Sequence, residues 1–219
     1  MSATPMPHVL LTGFAPFGGE TTNPSWEAVQ ALEGEVVAGH RIVARCLPVE
    51  FDASLPALRH ALDELAPSLV ICVGQAGGRA QLSLERVAIN VIDARIPDNA
   101  GAQPVDEPVV IDGPAAYFTG LPVKAMLAAL RNAGVPAEIS QTAGTYVCNH
   151  VFYGLMHALR DVPGTRGGFV HIPYSPAQAA LHAGAPSLPV SVVAQALRIG
   201  VAIALTIEHD VRIGAGATH

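Results

Sequence analysis

Cys148 stands where a chain makes a thiol reactive. It lies in Ala143-Gly-Thr-Tyr-Val-Cys-Asn-His-Val-Phe-Tyr-Gly154. Ahead of it a strand is predicted from Ala137 to Thr142, and a Gly144-Thr145 turn follows. Behind it Val151, Leu155, Met156 and Leu159 recur on one helical face. A cysteine at such a junction meets the positive end of the helix dipole and unpaired backbone N–H groups. Both favour the thiolate and predict a thiol pKa below the usual ~8.5. The same N–H groups can hold an oxyanion as it forms. Cys46 and Cys72, inside the apolar runs near Ile42 and Leu69, read instead as strand residues packed in a core.

A cysteine nucleophile needs a base that later returns the proton to the leaving group, and a third group to fix the tautomer of that base. His150 is on the same helix as Cys148, but side chains two apart diverge, so it is a poor partner. His171, in Gly167-Gly-Phe-Val-His-Ile-Pro-Tyr174, stands among apolar neighbours at a predicted strand end. On this segment alone it is either a satisfied core histidine or the base. The other histidines fall at element ends or amphipathic positions and read as structural or solvated. Glu85 interrupts the strand-like run Leu84-Glu-Arg-Val-Ala-Ile-Asn90 and is the candidate third group. Its competing reading is an ion pair with Arg86 or Arg79 on a surface.

Two glycine-rich turns complete the set. The run Gly13 to Gly19 has neither the GxGxxG nor the GK[ST] pattern, and Phe14 and Phe17 would crowd a phosphate. Two phenylalanines beside a glycine turn suit an uncharged small-ring ligand, or else the core. The run Gly74-Gln-Ala-Gly-Gly78 follows the continuous apolar stretch Ser68 to Val73, which has the look of a strand covered on both faces.

The elements that must position these residues alternate along the chain. Strands are predicted at His8 to Thr12, Arg41 to Leu47, Ser68 to Val73, Leu84 to Val91, before Cys148, and near Gly168 to Ile172. Helices are predicted from about Ser25 to Leu32, from Asp52 as cap to Leu65, from Val123 to Ala133, after Cys148, and from Val190 to His209. Arg95 to Ala116 is rich in Pro, Gly, Asp and Asn, and such a stretch is usually functional or part of an interface. The tail from Ile213 to His219 is expected to fray. This rhythm implies an α/β fold, with a mostly parallel sheet between helical layers and sites at the carboxyl ends of its strands. Neither repeat nor linker breaks it, so residues 1–219 are expected to form one domain.

Half of the 219 residues are hydrophobic, 14% are charged, and the net charge is −6, without a Lys/Arg cluster. That composition predicts a compact globule and argues against nucleic acid or an anionic membrane as partner. No basic stretch precedes an apolar one at the N-terminus, and Val190 to Leu205 is too short and too polar to span a bilayer. Three cysteines without disulfide or zinc spacing fit a reducing cytoplasm. No metal motif is visible.

Taken together, five ordered blocks resemble the pyroglutamyl peptidase I family, also called pyrrolidone-carboxylate peptidases. They are LLTGFAPFGGETTNPSWEAV (Leu10 to Val29), VGQAGGRAQLSLERVAINVIDARIPDNAG (Val73 to Gly101), DGPAAYFTGLP (Asp112 to Pro122), TAGTYVCNHVFYGLMH (Thr142 to His157) and GGFVHIPY (Gly167 to Tyr174). The resemblance implies a three-layer α/β/α sandwich with a twisted, mostly parallel sheet, usually a homotetramer without metal or cofactor. It implies removal of N-terminal pyroglutamate from peptides by Cys148 as nucleophile, His171 as base and acid, and Glu85 as the group that orients the imidazole. It also implies a ring pocket lined by Phe14, Phe17, Gln75, Ile96, Tyr146 and Val147, with Arg95 assisting at the oxyanion. Tyr146 departs from the family, where Phe is common. Two alternatives are a nucleoside phosphorylase-like reaction on a related fold, which would need a phosphate site, and a silent relative, which would be expected to lack a triad residue.

Overall fold

The computed structural model describes residues 6–216, so the expectations for the first residues and for the end of the tail, His219 included, lie partly outside the described residues. The chain runs β1 (His8–Phe14), α1 (Pro24–Gln30), β2 (Val36–Val37), β3 (His40–Leu47), α2 (Phe51–Leu65), β4 (Leu69–Gln75), β5 (Leu82–Glu85) and β6 (Val87–Ile89). It continues through β7 (Ala116–Phe118), α3 (Val123–Asn132), β8 (Ala137–Ser140), α4 (Val147–Leu159), β9 (Arg166–Ile172), α5 (Pro176–Ala179) and α6 (Val190–Thr206). Seven strands form the main sheet in the order β2-β3-β1-β4-β9-β5-β8, and β6 and β7 pair separately.

The sheet is mostly parallel, as the alternation predicts, but β2 runs against β3 and β5 runs against β9. The reversal of β5 is decisive for the site. Ser83 pairs with His171 across the antiparallel ladder, so Glu85, two residues on, is a diagonal neighbour on the same face. Side chains alternate across a strand, and this parity separates two cores. Leu10, Val70, Cys72 and Phe169 face α2 and α4, whereas Val9, Leu11, Ile71 and Val170 face α1, α3 and α6. His171 shares the parity of Phe169, which puts it under α4.

Local chemistry explains most element ends. Asn23 caps α1 by accepting from Ser25 N–H, with Pro24 in the first turn. Glu50, not Asp52, occupies the cap position of α2; Asp52 lies within the first turn, where its charge favours the helix dipole. The predicted strand from Leu84 to Val91 divides into β5 and β6 at Arg86. The irregular stretch ends where β7 begins at Ala116, and inside it the buried Asp98 carboxylate accepts from the N–H groups of Phe51, Ala100 and Ala102. Cys72 is buried, as expected, but Cys46 is exposed: β3 turns that side chain outward. Among the described residues no helix is long and apolar enough to cross a membrane.

Candidate active site

Cys148 is in the first turn of α4, whose cap residue Tyr146 makes no side-chain hydrogen bond to the helix. The first intrahelical bond runs from His150 N–H to the Tyr146 carbonyl, so the N–H groups of Cys148 and Asn149 precede the helical ladder. Two neighbours of the cysteine hold this turn in place. Asn149, fully buried, accepts from Ile89 N–H at 3.0 Å and donates to the carbonyls of Ile89 and Val91. His150 donates from Nε2 to the Phe51 carbonyl at 3.0 Å, which fastens α4 to the start of α2. Nothing in the sequence distinguished Asn149, because its partners are backbone groups about 60 residues away.

The sulfur lies above the sheet at Gly74. A Cβ built on Gly74 would fall 2.8 Å from Cys148 Sγ and 2.8 Å from Phe169 Cζ. Gly74 is the register partner of His171 on β9, so the glycine brings cysteine and histidine together across two adjacent strands. His171 is 3% exposed, its ring centroid 4.8 Å from that of Phe169, and its Nδ1 donates to Glu85 Oε1 at 2.7 Å. Glu85 is fully buried, and the same Oε1 accepts from Arg79 Nη1 at 2.7 Å. Glu85 therefore pairs with both the imidazole and Arg79, but in the interior and not on the surface where the ion-pair reading placed it.

Electrostatics differ from the sequence expectation for Cys148. Burial pushes the thiol up to about 12, with the Glu85 carboxylate adding and Arg79 opposing. The helix N-terminus is present, but burial of the sulfur and the Glu85 charge act against it, although the residue as a whole is only half-buried. Burial likewise lowers the pKa of His171, against the raising effect of its hydrogen bond to Glu85. Both shifts favour the uncharged forms, thiol and imidazole. In the tautomer that donates from Nδ1 to Glu85, Nε2 is the free acceptor.

A cavity of about 10 Å³ adjoins the sulfur, lined by Phe14, Phe17, Asn23, Val49, Gln75, Tyr146, Val147 and Cys148. That is about the space of one water, too little for a five-membered ring. The structure therefore gathers Phe14, Phe17, Gln75, Tyr146 and Val147 at one place and adds Asn23 and Val49, which the sequence reading missed. Arg95 and Ile96 are not in this wall. They line an adjacent hollow of about 210 Å³ with Asp93, Thr145 and Tyr146, so Tyr146 is the partition between the two. Its hydroxyl donates to the Pro97 carbonyl at 3.0 Å, and Thr145 exchanges two hydrogen bonds with Asp93. On the far side Gln178 donates to Gln75 Oε1 at 3.1 Å. A larger hollow of about 680 Å³, lined by Arg59, His157 and Arg160 among others, touches none of these side chains.

Comparison with known proteins agrees with the resemblance over nearly the full chain. Residues 7–207 match the model of the family described as pyroglutamyl peptidase. A pyrrolidone-carboxylate peptidase of Klebsiella pneumoniae (strain 342) is 58% identical over 214 residues, covering 98% of this chain and 100% of the relative. The crystal structure of pyroglutamyl peptidase I from Bacillus amyloliquefaciens superposes with a TM-score of 0.92 at 51% identity, over 95% of this chain and 100% of that one. The pyrrolidone carboxyl peptidase of Thermococcus litoralis gives a TM-score of 0.91 at 36% identity, over 95% and 100%. The chain belongs to the pyroglutamyl peptidase family of cysteine peptidases, hydrolases that remove N-terminal pyroglutamate.

Proposed function

We propose that Cys148, His171 and Glu85 are the catalytic residues of this peptidase. The observation that carries the reading is the His171–Glu85 hydrogen bond of 2.7 Å on the sheet face over which Cys148 Sγ lies at Gly74. Nε2 of His171 takes the thiol proton as Sγ attacks the carbonyl of the pyroglutamyl residue, so thiolate and imidazolium arise together. The N–H groups at the start of α4 donate to the oxyanion. His171 then protonates the departing amine, and water, deprotonated by the same imidazole, hydrolyses the thioester. Glu85 holds the imidazole tautomer and balances the imidazolium charge.

The lactam lacks the charged α-amine of an ordinary N-terminus, which fits a pocket of Phe14, Phe17, Tyr146 and Val147 with the polar Gln75 and Asn23 at its edge. Phe17 and Tyr146 are partly exposed, and the ring enters by displacing them. Arg95 and Ile96, one hollow away, act on the peptide beyond the ring. Residues 1–219 act as one catalytic domain. The assembly is a homo-oligomer, a tetramer by family resemblance. The compartment is the cytoplasm, in keeping with three unpaired cysteines.

The test is release of a fluorogenic amine from its pyroglutamyl derivative, with a prolyl derivative alongside. Cys148→Ser is expected to lower kcat by several orders of magnitude with the fold intact, because a hydroxyl is far less acidic than a thiol. Substantial turnover by folded Cys148→Ser would remove the nucleophile assignment.

A further inference from the structure

Arg79 belongs to the loop between β4 and β5, and its side chain is 25% exposed. Nη1 donates to Glu85 Oε1 at 2.7 Å, the oxygen that also holds His171, while Nη2 donates to the Thr142 carbonyl at 2.9 Å. Thr142 leads directly into the turn that carries Cys148. One guanidinium therefore spans the third member of the triad and the segment that delivers the nucleophile. Glu85 Oε2 is buried and has no hydrogen-bond partner among the described residues, so the contacts to this carboxylate converge on one oxygen.

We propose that Arg79 is a positioning residue of the triad: it holds Glu85 and the Thr142–Cys148 turn in register, and it neutralises the buried carboxylate. The inference rests on the proposed catalytic roles of Cys148, His171 and Glu85. The charge balance supports it. With Arg79 present, the resting site carries one cation and one anion. When the thiol proton passes to His171 Nε2, the site carries two of each, and the sum is again zero. Without Arg79 the buried site carries a net charge of −1, in which the thiol and the imidazolium both hold their protons more tightly. Arg79 indeed lowers the pKa of both the Cys148 thiol and His171, against Glu85, which raises both. The other titratable groups on this face are Cys72 on β4, which acts on the Cys148 thiol, Tyr146 at the start of α4, which faces Cys148 and Asp98, and Glu138 on β8, which accepts from Ser83, the register partner of His171. None of these is a cation.

The experiment compares wild type, Arg79→Lys and Arg79→Met. It measures kcat/KM on a pyroglutamyl fluorogenic amide from about pH 5 to about pH 10, across the histidine range and the lower part of the thiol titration. In parallel, alkylation of Cys148 by iodoacetamide is followed by mass spectrometry over the same range. In Arg79→Met, both limbs of the profile and the alkylation curve are expected to move to higher pH by about one unit, because a nearby cation favours every deprotonated form. Arg79→Lys keeps the charge but cannot make both contacts, so kcat falls while the limbs stay in place. Limbs of Arg79→Met that coincide with wild type, at whatever rate, would overturn the proposal. If Arg79→Met does not fold, wild-type kcat in Arg79→Lys overturns the positioning role. Wild-type turnover that survives complete alkylation of Cys148 would sink the triad itself, a result separate from the position of the limbs.

Discussion

Gly74→Ala is the sharpest perturbation the structure offers. The added methyl would sit 2.8 Å from Cys148 Sγ, 2.8 Å from Phe169 Cζ and 3.0 Å from Phe169 Cε1. Relaxed contacts between such atoms lie at about 3.5–4.0 Å, so something must move by close to 1 Å. Phe169 has little freedom: it is fully buried, and its ring packs against Phe14, Phe152 and His171 at centroid distances of 6.3, 5.8 and 4.8 Å. The displacement therefore falls on the sulfur and on the separation of α4 from β4. Overpacking of this kind costs about 1–3 kcal/mol of stability. At this chain length each kcal/mol lowers Tm by roughly 2–4 °C. A misplacement of about 1 Å at a reacting atom costs on the order of 100-fold in rate, so kcat/KM is expected to fall about that far. The assay pairs thermal unfolding with kcat/KM on a pyroglutamyl amide. Gly77→Ala is the control, since its methyl meets Tyr174 rather than the cysteine. Wild-type kcat/KM and Tm in Gly74→Ala would refute the placement of Sγ over Gly74.

Two further outcomes concern the surroundings of Cys148. Burial lowers the His150 pKa from 6.5 to about 4, so the unfolded chain binds a proton there that the folded chain refuses. Stability is therefore complete above pH 6.5 and lost as pH falls from 6.5 towards 4, by up to about 3 kcal/mol. His150→Gln, which can still donate to the Phe51 carbonyl, is expected to flatten this dependence in urea unfolding, and an unchanged pH slope would contradict it. Tyr146→Phe loses only the hydrogen bond to Pro97, worth about 1 kcal/mol or less at an exposed site. Its kcat should stay within about twofold and its KM within about fivefold, the change that such an energy allows. A loss of ~100-fold in kcat would place that hydroxyl in the chemistry instead of in the loop.

Much of the site was legible residue by residue, and its assembly was not. Cys148 was marked by a turn before it and a helical period after it, both local signals. Phe14, Phe17 and the glycine turns were visible for the same reason. His171 and Glu85 could be nominated from sequence only as polar residues inside apolar runs, and each had an ordinary structural alternative. The resemblance to a family, carried by five ordered blocks, chose between those alternatives where local pattern could not. Asn149 escaped because its partners are backbone groups of a distant segment, and Asn23 because only the fold brings it to the cavity beside Cys148; Arg79 was named as a possible partner of Glu85, but its bond to Thr142 was not legible.

The sequence by itself determined the alternation of elements, the strand-to-helix junction at Cys148 and the apolar character of the turn that carries Phe14 and Phe17, because these depend on period and composition within a few residues. Tertiary structure alone decided the rest. The antiparallel entry of β5 beside β9 set the parity that puts Glu85 and His171 on one face. The packing of α4 over Gly74 set the sulfur above them. Desolvation of the sulfur pushes the thiol pKa up where the helix dipole alone would lower it, because desolvation depends on how much protein surrounds a group, and that is a property of the folded whole.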